Sequence, residues 1–448
     1  MAGRENFSSK EDRLSFLDLA IEEEDNGFMH EFLPYSDINR WIPENSVYDD
    51  VYHNAPLGRL GNVAALSFLA YIGPAPETQY FLDYTHDRLD HSLVVAMTSE
   101  EVLKNNHLPQ KLINIAILAG LLHDIATPAL GDATMQMDTK NLDEEENWAA
   151  MLDEKGMELL EKYGVSKKEM HNIIKNKGTL GVILDITDRI TYTMKDLFEV
   201  AGSPRRKLDV NPYTKSLHAV LNEFPDVGNI YKDVAVDPKT EQVYFTNPER
   251  LEAFLLLRAL LHQKLYLHPI SQGRDLLVKK LLEPLYSSDE KVDAPLNPTS
   301  LRAMNDTELK SVMYGYFTMK TALDQLSPFR DSDDFFYSIV NWFPEYRGFE
   351  TEKEASEFIS QLSHTPSILT LGMKRRRGFD PGVGYLVMDP KTHTTMPFSQ
   401  SQPQAALQLQ QIADSLPGIF VYFKDISENE EKSRVNNFLR AVKSEISL

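Results

Sequence analysis

Leu112, Ile115, Ala119 and Leu122 recur at three- and four-residue spacing, which places one apolar face inward on a buried helix. The same period runs through residues 180–197 and 251–267, so the pattern predicts a helical body that begins near Leu57. Residues 1–50 read as an irregular lead-in with one short helix over 14–24. Residues 223–250 are richer in Pro, Asp and Asn and read as a surface excursion.

After Pro284 the pattern changes. A proline- and charge-rich linker is expected over 286–300, separating a body of residues 51–285 from a C-terminal region of residues 301–448. Helical stretches over 306–323 and 352–362 are followed by strand candidates at 368–373, 383–388 and 419–424, each short, β-branched or aromatic, and bounded by Gly and Pro. Asp380-Pro381-Gly382 between the first two predicts a hairpin turn, and the Gln-rich residues 399–411 read as a loop running into a helix. The expected class is mainly α, a helical body with a C-terminal mixed α/β region.

Composition narrows the function. The chain has 448 residues, which exceeds the usual size of one core and predicts two or three subdomains. No apolar run approaches the roughly 20 residues that span a bilayer, and residues 1–13 show neither a secretory nor a transit pattern, so a cytoplasmic protein without a membrane partner is expected. The absence of cysteine excludes disulfides, thiolate metal sites and cysteine nucleophiles. A net charge of −21 disfavours non-specific binding to nucleic acid. Any anionic substrate would need a local positive site made from a few arginines or a metal.

The strongest chemical signal is His123-Asp124, which closes an apolar helix; buried charges of this kind are normally paired or bound to metal. Upstream, Arg88-Leu89-Asp90-His91 places a second imidazole where another helix begins. Downstream, Asp185, Asp188 and Arg189 interrupt an otherwise apolar helix. Two imidazoles and two carboxylates, His91, His123, Asp124 and Asp188, form an N/O set suited to a divalent ion such as iron, manganese, zinc, cobalt, nickel or magnesium.

With these residues in order, the sequence resembles the HD-domain metal-dependent phosphohydrolases, whose signature is a His, a His-Asp pair and a distant Asp on one metal. Within that superfamily it is most similar to the deoxynucleoside triphosphate triphosphohydrolases, over roughly residues 50–270 with a weaker echo at 420–425. The resemblance implies an HD-domain helical bundle and a phosphate contact at Arg88, three positions before the first metal His. It also implies substrate contacts at Arg189, Tyr192 and Asp196, whose spacing after Asp188 matches the family, and at Arg258, His262 and Tyr266, set at four-residue steps. On that likeness the expected substrate is a nucleotide or another phosphorylated small molecule, and a homo-oligomer is expected. The reaction is hydrolysis of a phosphate ester, in the closest relatives releasing tripolyphosphate from a deoxynucleotide.

The chain departs from this pattern after the His-Asp pair. Family histidines correspond to Thr127 and Asp132, and a later His-Glu pair to Glu144 and Glu145. Three consequences are open: Asp132 or Glu145 takes over proton transfer, the extra carboxylates hold a second metal, or catalysis is lost and a nucleotide-binding regulator remains. An HD phosphoesterase with a different ester substrate is the other alternative. His171 is expected on an exposed helix face, His86 near the pocket mouth, and the basic run from Lys374 to Arg377 in a charged turn.

Overall fold

The computed structural model describes residues 42–65, 87–201, 217, 219–221, 223–289, 291–320, 329–342, 344–376, 378–389, 392–416, 418–427 and 434–446. The expected helix over 14–24 and His86 lie outside the described residues. The architecture is mainly helical, with two small sheets and most of their strands in the C-terminal part.

Six helices matter for the site: α1 (Val47–Asn54), α2 (Arg88–Asn105), α3 (Gln110–Leu122), α4 (Gly178–Ala201), α5 (Pro248–Leu261) and α6 (Pro269–Leu282). Helices α2 and α5 begin on a side-chain cap that fits the chemistry of helix ends. Asp87 caps α2 by accepting from the Asp90 N–H at 2.9 Å, and Asn247 caps α5 from Arg250, with Pro248 supplying the first helical position. Helix α3 is apolar around most of its circumference, and nine of its residues from Ile113 to Leu122 are buried, so it runs through the centre of the body.

Glycine decides how closely α2 and α3 approach. A Cβ built on Gly120 would lie 2.6 Å from the Ala96 Cα and 2.8 Å from the Ala96 nitrogen, so the two backbones cross in direct contact. Between α2 and α4, a hydrogen bond of 2.8 Å joins the buried Ser99 and Thr187 hydroxyls, and Lys195 on α4 pairs with Asp90 on α2. One continuous apolar core extends from Val47 to Ile446, and a smaller one lies between helix Glu352–Ser363 and the adjoining sheet.

The sheets are ordered β1-β2-β5-β6 and β3-β7-β4, from β1 (Val234–Val236), β2 (Val243–Phe245), β3 (Glu345–Phe349), β4 (Ile368–Arg376), β5 (Leu386–Met388), β6 (Thr395–Pro397) and β7 (Gly418–Asp425). Four expectations are corrected here. Strands β4 and β5 do not form a hairpin through Asp380-Pro381-Gly382; β4 pairs with β7, while β5 pairs with β6 and runs parallel to β2 at Phe245–Val387. Residues 223–250 are no surface excursion, because Val227, Ile230, Tyr231, Val234 and Phe245 are buried and the segment forms the β1–β2 hairpin. The basic residues Lys374, Arg375 and Arg376 lie in strand β4 and not in a turn, and Arg377 is outside the described residues. The Gln-rich stretch is helical from its start, Phe398–Ser401 and then Pro403–Ser415.

The turn after α3 is fixed from far along the chain. Leu130 adopts φ +58°, a left-handed conformation uncommon for leucine. It is held there by Asp306, whose carboxylate accepts from the Leu130 N–H at 2.7 Å and from the Ala64 N–H at 3.1 Å. The Arg59 guanidinium donates to the carbonyls of Ile125, Thr127 and Met304. These buried donors and acceptors thereby pair across distant parts of the chain, as buried polar groups must.

Candidate metal centre

Helix α2 delivers His91, the end of α3 delivers His123 and Asp124, and the middle of α4 delivers Asp188. One ligand atom from each of His91, His123 and Asp188 lies within 4.8 Å of the others, so these three can hold a metal ion. His91 Nε2 stands 2.9 Å from Asp188 Oδ1, and His123 Nε2 stands 3.8 Å from the same oxygen. Asp124 is adjacent, 3.7 Å from His91 Nε2 and 3.5 Å from His123 Nε2. Its Oδ2 accepts from Arg88 at 2.8 Å.

The donor chemistry of His123 fits a metal. Its Nδ1 lies 2.8 Å from the Gly120 carbonyl, which can only accept, so Nδ1 carries the proton. Nε2 is buried and, among the described residues, has no hydrogen-bond partner. A backbone carbonyl that fixes the tautomer and leaves the other nitrogen's lone pair facing carboxylates is the usual support of a histidine ligand. The carboxylates match. Burial acts to raise the Asp124 pKa, yet the Arg88 charge and then the two imidazoles hold it well below the ordinary range. Asp188 is lowered against burial by the hydrogen bond and charge of His91. His123 is shifted upward against burial by Asp124 and Asp188, which shows how strongly this corner favours positive charge.

The centre opens into a cavity of about 340 Å³ whose lining includes Arg88, Asp132, Glu144, Tyr192, Asp196, His262 and Tyr266. Glu145 also reaches its rim, but pairs with Lys175 at 3.0 Å and keeps 43% of its side chain exposed. The acid turned to the inner wall is its neighbour Glu144, whose Oε2 accepts a hydrogen bond from the fully buried Thr127 hydroxyl. Loss of water around that carboxyl, and then the Asp124 charge, push its pKa up to about 8. Sequence reasoning singled out Glu145; the signal for Glu144 was Thr127, which sits three residues after Asp124 on the buried side of the turn.

On the opposite wall, the buried Asp196 accepts from the Tyr266 hydroxyl, and the Tyr192 and Tyr266 rings meet edge-on at 6.0 Å. His262 and Tyr266 bound a single turn of π-helix that continues α5, a local widening common at functional sites. Burial, followed by the Arg258 and Arg189 charges, pushes the His262 pKa down to about 3, and both of its ring nitrogens are buried without hydrogen-bond partners.

Two expected substrate contacts, Arg189 and Arg258, are engaged by residues of the C-terminal region. Arg189 donates to Asp185 on its own helix and to Asp380 at 2.9 Å. Arg258 donates to the Tyr192 hydroxyl and to the Asp380 carbonyl, both at 2.6 Å. Neither lines the cavity, because residues of the C-terminal region engage them first. His171 is half-buried and its ring is 3.4 Å from the Trp148 indole nitrogen, away from the centre.

No family model and no curated protein matches this sequence. Solved structures do match in fold. A phosphohydrolase from Bacteroides thetaiotaomicron VPI-5482 superposes with a TM-score of 0.56 at 15% identity, covering 85% of this chain and 96% of its own. A hypothetical protein from Aquifex aeolicus superposes with a TM-score of 0.54 at 17% identity, over 85% of this chain and 92% of its own.

Proposed function

We propose that this chain is a metal-dependent phosphohydrolase of the HD-domain kind that acts on a nucleotide, in the manner of the deoxynucleoside triphosphate triphosphohydrolases. The observation that carries the reading is the His123 imidazole, protonated at Nδ1 by its bond to Gly120 and presenting an unpartnered Nε2 beside His91 and Asp188. The shared fold with a solved phosphohydrolase supports it.

In this reading His91, His123, Asp124 and Asp188 would hold one divalent ion, whose chemistry when bound would be to polarise a phosphoryl oxygen and acidify water. Arg88 fixes Asp124 through one nitrogen and offers the rest of its fork to phosphate oxygens. Glu144, on the inner wall and bonded to Thr127, is placed to hand a proton to the departing oxygen. Asp132 lies on the same wall and helps to orient the attacking water. Asp196 and the two tyrosines bind the sugar. Carboxyl groups thus take the place of the imidazoles found in the resembled family.

One observation favours a second reading. With Arg189 and Arg258 held off the cavity, Arg88 is the guanidinium on its wall, and one fork suits one phosphate. A phosphoesterase acting on a monophosphate ester follows from that arrangement.

Elemental analysis, paired with a phosphate-release screen, tests both. The screen covers deoxy- and ribonucleoside mono-, di- and triphosphates with Mn²⁺, Mg²⁺ or Fe²⁺, and its separation resolves tripolyphosphate. Tripolyphosphate is the expected product. Orthophosphate from a monophosphate selects the second reading, and metal with bound nucleotide but no turnover selects a regulator. Failure to bind any metal after reconstitution refutes both hydrolytic readings.

A further inference from the structure

Residues 378–385 cross from one sheet to the other over the site, and their contacts are specific. The Asp380 carboxylate takes Arg189, its backbone carbonyl takes Arg258, and Phe379 lies flat on His262 with ring centroids 4.4 Å apart at 8°. Arg258 also stands over the Phe379 ring at 5.6 Å, and Arg189 over Tyr385 at 5.9 Å. One short segment therefore engages Arg189, Arg258 and His262 together.

The segment is anchored by backbone at its C-terminal end and by side-chain contacts in its middle. Backbone bonds from Ser399 to the Val383 carbonyl and from Phe398 to the Tyr385 carbonyl fix its C-terminal end. Gly382, at φ +74°, sits so close to α5 that a Cβ would lie 2.7 Å from Leu255. Among the described residues, no backbone–backbone hydrogen bond ties Phe379, Asp380 or Pro381 to the rest of the chain. The Asp380 side chain is 61% exposed, so its ion pair with Arg189 is screened by water and readily exchanged. Arg189 would remain tethered by Asp185, and Arg258 by Tyr192, if Asp380 left.

We propose that residues 378–385 form a strap that occupies Arg189 through the Asp380 carboxylate, as an internal anion, and Arg258 through the Asp380 carbonyl, and that a polyphosphate ligand displaces it and recruits both guanidinium groups. This rests on the reading that the substrate carries more than one phosphate. A chain phosphate outcompetes one carboxylate and one backbone carbonyl because it brings more charge and more acceptor oxygens to the same two forks. Displacement also removes Phe379 from His262, so the ring nitrogens of His262 become available only in the presence of the right anion. Selection of polyphosphates over smaller anions is thereby built into the strap.

The test uses the full chain and inorganic tripolyphosphate as the probe. Binding is measured by calorimetry for the wild type, Asp380→Asn and Arg189→Ala, and backbone exchange across residues 378–385 is followed by mass spectrometry with and without the anion. Asparagine keeps the acceptor for the Gly382 N–H and removes only the charge. Asp380→Asn is expected to bind about 2- to 5-fold tighter than wild type, the range set by an exposed ion pair. In the wild type, tripolyphosphate should speed exchange at Gly382 and Tyr385, and Arg189→Ala should bind more weakly. Equal affinities for wild type and Asp380→Asn overturn the strap, as does unchanged exchange on binding. So does the absence of tripolyphosphate binding to either protein at millimolar concentration, even if the phosphate-release screen then finds a monophosphatase. An asparagine effect without turnover of any nucleotide would keep the strap and discard the hydrolase.

Discussion

Gly120→Ala tests the idea that the crossing of α2 and α3 sets the geometry of the metal centre. The added methyl carbon would meet the Ala96 Cα at 2.6 Å, the Ala96 nitrogen at 2.8 Å and the Ala96 Cβ at 3.0 Å. Ordinary carbon contacts are about 3.5–4.0 Å, so the helices must part by about 1 Å. Overpacking of this kind costs about 1–3 kcal/mol, and alanine's better helix propensity returns about 1 kcal/mol. The expected net loss is about 0–2 kcal/mol, a fall in Tm of at most a few degrees. The larger effect is on metal. His91 sits on one of the two helices and His123 on the end of the other, and the Gly120 carbonyl itself orients His123. Displacing such a support lowers metal affinity by about 10- to 100-fold. Competition against a chelator with Co²⁺ or Mn²⁺, alongside thermal unfolding, reads both quantities. Two of the three closest atoms are backbone, so Ala96→Gly should not rescue the variant. Wild-type metal affinity in Gly120→Ala would refute the reasoning, and rescue by Ala96→Gly would show that side chains, not backbones, set the spacing.

Replacing His123 and Asp124 together by Ala should abolish metal binding in elemental analysis and all phosphate release, whereas Arg258→Ala should keep the metal and weaken ligand binding. Full metal content in the double variant would mean that the ligand set is wrong. Glu144 gives a pH prediction for metal-free protein. A carboxyl whose pKa rises from 4.5 in the unfolded chain to about 8 in the folded one binds its proton more tightly when folded, so its contribution makes stability fall as pH rises through that window. Glu144→Gln should remove this part of the slope and be more stable than wild type at pH 8 in denaturant titrations. An unchanged slope would place the proton elsewhere.

Much of the helical body was legible because its signal is periodic. Leu112 to Leu122 repeat every three or four residues, and charges that interrupt such a face, at His123-Asp124 and Asp188, mark places where burial needs a partner. What failed to be legible depends on pairing across long separations. The turn chemistry of Asp380-Pro381-Gly382 is real, since Gly382 does take a positive φ, but nothing local states that the strands on either side join different sheets. Residues 223–250 carry turn-forming residues at their tips, and these outweighed Ile230, Val234 and Phe245, whose burial comes from neighbours remote in sequence. The run Asp143 to Glu146 is uniform in charge, and only the fold separates Glu144, bonded to Thr127, from Glu145, bonded to Lys175. Arg189 and Arg258 were readable as cations near the site, whereas their engagement by Asp380 spans 191 and 122 positions of chain.

Asp306 and Arg59 carry a consequence for synthesis. The turn that presents His123 and Asp124 is closed by bonds from Asp306 to Leu130, 176 positions earlier, and from Arg59 to Met304, 245 positions later. Contacts of such separation form late, because the intervening loop must first be closed. A ribosome extends the chain from the N-terminus at about 5–20 residues per second. The metal ligands are therefore all translated well before the residues that shape their turn, and a nascent chain halted short of residue 306 holds every ligand without the scaffold that aligns them.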